Sequence, residues 1–243
     1  MTWIKICGMT NLEDALVAVE AGADAVGFVF YEKSPRNISV EGARDIVEKL
    51  PEQIEKIGVF VGHKNANPLK VFLDAALSGM QIYDQPEDGF LQVGMIGHHD
   101  RFMRARFLRP LAMSLIAKNQ GEIKELASSF AGLRKHWKNG VRPSEQEMAT
   151  VLLDSGDLLQ PGGTGKTFDW KQAVPIAEGM CEGGLKLVVA GGLTAENVTE
   201  AIEVLKPWGV DVASGVEARP GKKDPEKVRA FVKAVRDADR KAS

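Results

Sequence analysis

Ala25 to Phe30 is an unbroken run of apolar residues and glycine, Ala-Val-Gly-Phe-Val-Phe, with no polar face to turn toward water. A strand of that kind needs cover on both sides, the pattern of parallel sheets clothed by helices. The flanking sequence agrees. Leu12, Ala15, Leu16 and Val19 recur at helical spacing ahead of Gly22, and a second helical stretch runs from about Val40 to Leu50. The alternation continues along the chain. Trp3–Cys7, Lys56–Val61, Gly79–Tyr83, roughly Phe107–Met113, Thr150–Asp154, Lys186–Ala190 and Val210–Ala213 read as further strands. Pro68–Leu77, Glu122–Phe130, Trp170–Cys181, a stretch opened by Thr194–Asn197, and Pro225–Asp237 read as helices, while Phe90–Ile96 reads as helix or loop.

Eight strands alternating with helices over 243 residues are the expectation for an α/β chain folded as a (β/α)8 barrel. No linker-like composition divides residues 1–243, so a single domain is expected, with a polar insertion around residues 117–149. The formal charge of −2 supplies no global field for nucleic acid or an anionic membrane, so an anionic ligand must be held locally. Cys7 and Cys181 make no disulfide framework, and four scattered histidines lack metal-ligand spacing. No basic-then-apolar leader and no long apolar run is present, and a cytoplasmic protein is expected.

In parallel barrels the chemistry lies at the carboxyl ends of the strands, and several residues there have the means for it. Cys7 closes the first strand; a free cysteine is commonly a small buried hydrophobe, but at this end it is also a candidate base or nucleophile. Asp154 closes the sixth, where a buried carboxyl can act as an acid or, alternatively, cap a helix. Arg36 follows the second, and its planar fork suits a substrate carboxylate. Gly191-Gly192 and Ser214-Gly215 follow the last two, the position of the recurring phosphate site in these barrels. Gly162-Gly163-Thr164-Gly165-Lys166 lacks the first glycine of an NTPase phosphate loop, Gln160 standing there instead, and reads as an active-site loop. Lys5 shares a strand face with Cys7, where its charge would lower the thiol pKa.

Taken together these motifs resemble phosphoribosylanthranilate isomerase. The residues that carry the resemblance are Lys5-Ile6-Cys7-Gly8, Gly22 to Phe30, Ser34-Pro35-Arg36, Leu153-Asp154-Ser155, Gly162 to Trp170, Ala190 to Leu193 with Glu196-Asn197-Val198, and Val210 to Glu217 with Pro220 to Asp224. The resemblance implies a cofactor-free Amadori rearrangement in tryptophan biosynthesis, with Cys7 as general base and Asp154 as general acid. It further implies Arg36 on the anthranilate carboxylate and Gly191, Gly192, Ser214 and Gly215 on the phosphate; Lys5, by strand alternation, and Gln81 and Tyr83, at the end of the fourth strand, are candidates for the substrate pocket. A small phosphorylated substrate is the expected partner, and a monomer or weak homodimer the expected state. Where the family usually carries Gln-Leu-His-Gly at the end of the fourth strand, this chain reads Gln81-Ile82-Tyr83-Asp84. That departure keeps open a catalytically decayed barrel that only binds a phosphorylated ligand or partner. A histidine-pathway sugar isomerase would instead be expected to carry an aspartate in place of Cys7.

Overall fold

The structure, a computed structural model, describes residues 1–61, 68–83, 112–116, 150–155, 167–182 and 186–242. Eight parallel strands pair in sequence order and close on themselves: β1 (Trp3–Cys7), β2 (Ala25–Phe30), β3 (Glu55–Val61), β4 (Gly79–Tyr83), β5 (Ala112–Ile116), β6 (Thr150–Asp154), β7 (Lys186–Val189) and β8 (Gly209–Val212). Closure is made by β8 against β1, with Trp3 opposite Gly209 and Lys5 opposite Asp211. The described helices are α1 (Leu12–Ala21), α2 (Val40–Val47), α3 (Pro68–Asp74), α4 (Trp170–Glu182), α5 (Val198–Leu205) and α6 (Pro225–Ala242). The (β/α)8 architecture expected from the alternation of apolar runs is the one present.

The double apolar character of β2 has its explanation in two separate cores. Val26 and Phe28 face outward into a layer shared with the helices, which also holds Ile4, Ile6, Phe60, Val212 and Phe231. Val29 faces inward and joins Cys7, Val59, Leu152, Val188 and Ala190 inside the barrel. Fully burying a phenylalanine such as Phe28 or Phe231 contributes on the order of 1.5–3 kcal/mol, which is why solvent-facing alternation is absent from these strands.

Helix boundaries follow local chemistry where caps are strong. The Asn11 side chain accepts from Asp14 N at 3.0 Å, and Gly22 ends α1 with a left-handed φ of 94°. At the other end of the chain tertiary contacts outrun the local pattern. α6 continues to Ala242, past Asp237, because Arg236 donates to Asp24 Oδ2 and Asp239 accepts from Thr2 N and Oγ1. The fifth strand also differs from expectation. It occupies Ala112–Ile116 rather than Phe107–Met113, pairing Ile116 with Asp154. Pro110 has no N–H to give a parallel ladder, whereas Ala-Met-Ser-Leu-Ile is uncharged and proline-free. The expected insertion at 117–149 and the helix at Glu122–Phe130 lie outside the described residues.

Two features were not anticipated. After β8 comes a short 3-10 turn, Ser214–Val216, and then a small antiparallel hairpin of β9 (Glu217–Arg219) and β10 (Lys222–Lys223). At the amino-terminal end of the barrel Trp3 and Trp208 stack with ring centroids 5.1 Å apart, and Lys186 Nζ sits 4.8 Å from the Trp208 ring.

Gly27 is where sheet packing meets the barrel mouth. A Cβ there would lie 2.7 Å from Cys7 Sγ and 2.9 Å from Lys5 Cε, so the missing side chain makes the room those two occupy. Gly27→Ala is therefore expected to lower stability by about 1–3 kcal/mol, the usual cost of overpacking, read as an earlier urea midpoint with unchanged slope. An unchanged midpoint would show that both side chains swing aside freely.

Candidate active site

Strand alternation directs Lys5 and Cys7 into the barrel, Cys7 at the carboxyl rim and Lys5 one layer deeper. Lys5 is 1% exposed, and its ammonium donates to Gln81 Oε1 and Asp211 Oδ2, each at 2.6 Å. The second carboxylate oxygen, Asp211 Oδ1, is buried without a hydrogen-bond partner. Burial alone would pull the Lys5 pKa down, but Asp211 and the neighbouring Cys7 hold it above the ordinary lysine value.

The thiol keeps the sign expected of Lys5, but its net pKa is not lowered. Lys5 does favour the thiolate, as its place beside Cys7 suggested, and so do Lys223 and Arg36. Burial outweighs them, Asp211 adds its negative charge, and the Cys7 pKa lies above its ordinary value of 9.0. Lys5 is the largest of the three favourable charges, and burial together with Asp211 still outweighs them.

Arg36 stands at the same rim. Its aliphatic stem covers Gly8, whose φ of 84° and missing Cβ make the space; a Cβ would lie 2.6 Å from Arg36 Cδ. The guanidinium is paired with Glu217, Nε donating to Oε1 at 2.8 Å and Nη2 to Oε2 at 2.7 Å. Lys223, 1% exposed, donates to Cys7 O at 2.6 Å, Ala213 O at 3.1 Å and Glu217 Oε1 at 3.1 Å. Burial draws the Lys223 pKa down against the pull of Glu217, yet three acceptors need three N–H protons, which only the ammonium has. Burial would raise the Glu217 pKa, but Arg36 and Lys223 together hold it below the ordinary glutamate value. Neither Glu217 nor Lys223 stood out as a site residue in the sequence. Their partners lie 181 and 216 residues away, and no local spacing announces such pairs.

On the far side of the rim Asp154 is buried at the end of β6, reached from β1 through β8 and β7. The following residue locks the next loop: a Cβ on Gly191 would lie 2.1 Å from Ser155 Oγ. Gly191 and Gly192 take φ of 86° and 62°, a turn closed by Asn197, which donates to Gly192 O at 3.0 Å and accepts from Thr194 N at 2.8 Å. Gly215 rests so closely on this loop that a Cβ would fall 1.8 Å from Leu193 O. The four residues named for phosphate thus occupy two loops in direct backbone contact. Among the described residues the N–H groups of Gly192, Ser214 and Gly215 have no hydrogen-bond acceptor. Gln81 is buried against Lys5, below the rim rather than on it. Tyr83 ends β4, but its side chain, together with Asp84 and the loop Gly162–Lys166, lies outside the described residues. Among the described residues no group of three or more His, Cys, Asp and Glu side chains is placed to hold a metal, and no helix is long and apolar enough to cross a membrane.

A closed parallel barrel with a buried carboxyl, a buried thiol and two contacting glycine loops around the carboxyl-end rim defines the class: a (β/α)8 protein with its polar groups where such barrels do their chemistry. Comparison with known proteins narrows it. The family model for N-(5'-phosphoribosyl)anthranilate (PRA) isomerase matches residues 4–91 and 134–234, more than half of the chain. The N-(5'-phosphoribosyl)anthranilate isomerase of Geotalea uraniireducens is 40% identical over 237 residues, covering 97% of this chain and 99% of that protein. The crystal structure of phosphoribosyl anthranilate isomerase from Thermotoga maritima superposes with a TM-score of 0.72 at 36% identity, covering 98% of this chain and 100% of that one. A phosphoribosyl anthranilate isomerase crystallised with reduced 1-(o-carboxyphenylamino)-1-deoxyribulose 5-phosphate gives 0.70 at 35% identity, over 98% of this chain and 100% of that one. The chain belongs to the PRA isomerase family.

Two pH experiments check the electrostatics. Alkylation of Cys7 by iodoacetamide, followed by mass spectrometry, is expected to have its midpoint above pH 9.0, and Lys5→Met is expected to move it higher still; a fall would contradict the sign given to Lys5. Glu217, with its folded pKa depressed, contributes stability above the ordinary value of 4.5 and loses that contribution as pH falls through the folded value. The gap in Tm between the native chain and Glu217→Gln should be widest near neutrality and close below pH 4.5; a gap independent of pH would place its origin in packing.

Proposed function

We propose that this chain, an aldose–ketose isomerase of the PRA isomerase family, rearranges N-(5'-phosphoribosyl)anthranilate to 1-(2-carboxyphenylamino)-1-deoxyribulose 5-phosphate, with Cys7 as general base and Asp154 as general acid. Asp154 delivers its proton to the furanose ring oxygen as the amine lone pair pushes the ring open to a Schiff base. The Cys7 thiolate then removes the C2′ proton, giving an enolamine that tautomerises to the ketone. Arg36 holds the anthranilate carboxylate, and the backbone of Gly191, Gly192, Ser214 and Gly215 holds the phosphate. The observation that carries the reading is the placing of a buried thiol and a buried carboxyl on one barrel rim, beside the glycine loops.

The raised thiol pKa is compatible with this role. A thiolate formed from a weak acid is the stronger base, so each turnover draws on a small but reactive fraction. The rate constant kcat/KM then climbs with pH through neutrality as that fraction grows. The tyrosine in place of the family's fourth-strand histidine supports a second reading, a barrel that binds the phosphorylated ligand without turning it over.

Turnover of freshly prepared substrate, followed by the fluorescence of its aminobenzoate group, separates the two. Cys7→Ala and Asp154→Asn are each expected to lower kcat by about 100-fold or more, the scale of general acid–base catalysis, while Tm and binding of the reduced product stay near those of the native chain. Binding without turnover in the native chain would leave only the second reading.

A further inference from the structure

We propose that Glu217 is a positioning residue for Arg36, fixing the guanidinium so that one edge alone is left for a carboxylate ligand. The inference rests on the reading of Arg36 as the anchor of the substrate carboxylate and adds how that anchor is aimed. An arginine carries five N–H protons in a rigid fork. Glu217 takes the Nε–Nη2 side, at 2.8 and 2.7 Å. The protons left over lie on Nη1 and the outer side of Nη2, the second edge at which a carboxylate can be gripped by two parallel hydrogen bonds. Among the described residues Nη1 has no acceptor.

Glu217 is itself held from behind. Its Oε1 also accepts from Lys223 Nζ at 3.1 Å and Gly221 N at 3.3 Å. Lys223 reaches on to Cys7 O at 2.6 Å, so the direction of Arg36 is referred through two buried side chains to the backbone of the residue assigned as base. The stem of Arg36 is confined over Gly8, the next residue in sequence after Cys7. A free arginine on the Tyr31–Asn37 loop would have many rotamers and would lose that freedom on each binding event, weakening the complex. Charge completes the argument. Arg36 and Lys223 against Glu217 leave one positive charge, which a single ligand carboxylate neutralises.

The test uses two probes in isothermal titration calorimetry: reduced 1-(2-carboxyphenylamino)-1-deoxyribulose 5-phosphate and the same compound without its carboxyl group. Glu217→Gln is expected to weaken the carboxylated probe by about tenfold or more, the scale of a misaligned charge-assisted pair, and to leave the other unchanged. Arg36→Ala should show the same selectivity, and the double variant no additional loss. Equal weakening of both probes by Glu217→Gln, or none, with Arg36→Ala still selective, overturns the positioning role alone. An Arg36→Ala variant that binds both probes as the native chain does overturns the carboxylate reading and this inference with it. Should Glu217→Gln not fold, Glu217→Asp carries the same comparison, keeping the charge and shortening its reach by one methylene.

Discussion

Lys223 holds the rim of this barrel together. Its three N–H protons go to the carbonyl of Cys7, the carbonyl of Ala213 and the carboxylate of Glu217, and the chain positions they join are the end of β1, the end of β8 and the hairpin beyond it. The hairpin is pinned on its other side by Asp14, which accepts from Lys223 N at 2.7 Å and from the Lys222 side chain. A buried ammonium carries a large desolvation penalty and is tolerated only where every proton is used. The arrangement is therefore close to all-or-none. Removing any acceptor leaves a buried charge partly unpaired, so the thiol, the arginine and the hairpin are placed together.

A second buried charge, Lys5, sits one layer below with Asp211 and Gln81. Such a pair across the closing β1–β8 ladder adds little net stability, since the Coulombic gain is set against the desolvation of both ions. What it does is shape the local field. Lys5 pulls the thiol pKa down, but burial and the charge of Asp211 outweigh it and leave Cys7 above its ordinary value. Arg36 and Lys223 share Glu217 at the rim, while Cys7 and Asp154 are buried at the ends of β1 and β6.

Much of the fold is legible in the sequence because the information is local. Ala25–Phe30 declares a strand covered on both faces, and Asn11 and Gly22 mark the ends of α1 by their own side-chain and backbone chemistry. The same holds for Gly191 and Gly192, whose positive φ values are what glycine at a strand end suggests. What escaped notice is what depends on distance along the chain. Glu217 and Lys223 stand in motifs that carry the resemblance, but nothing local says that Arg36 meets the one or that three oxygens converge on the other. The sign of the thiol shift was hidden for the same reason. The adjacency of Lys5 is visible in β1 itself, but burial and Asp211 enter only when the barrel closes. Ala112–Ile116 was displaced in expectation because charged and apolar residues alternate ahead of it, and only the ladder with β6 fixes the register.

At the opposite end of the barrel from this chemistry, Trp3 and Trp208 lie flat against one another, one on β1 and the other at the entry to β8. Indoles held 5.1 Å apart couple their electronic transitions, and the coupling vanishes once the strands part. The molecule carries its own optical gauge of the β1–β8 seam, set away from the rim where ligands bind. Circular dichroism in the indole bands would follow the joining of the first and last strands during folding, without a label and without reference to catalysis.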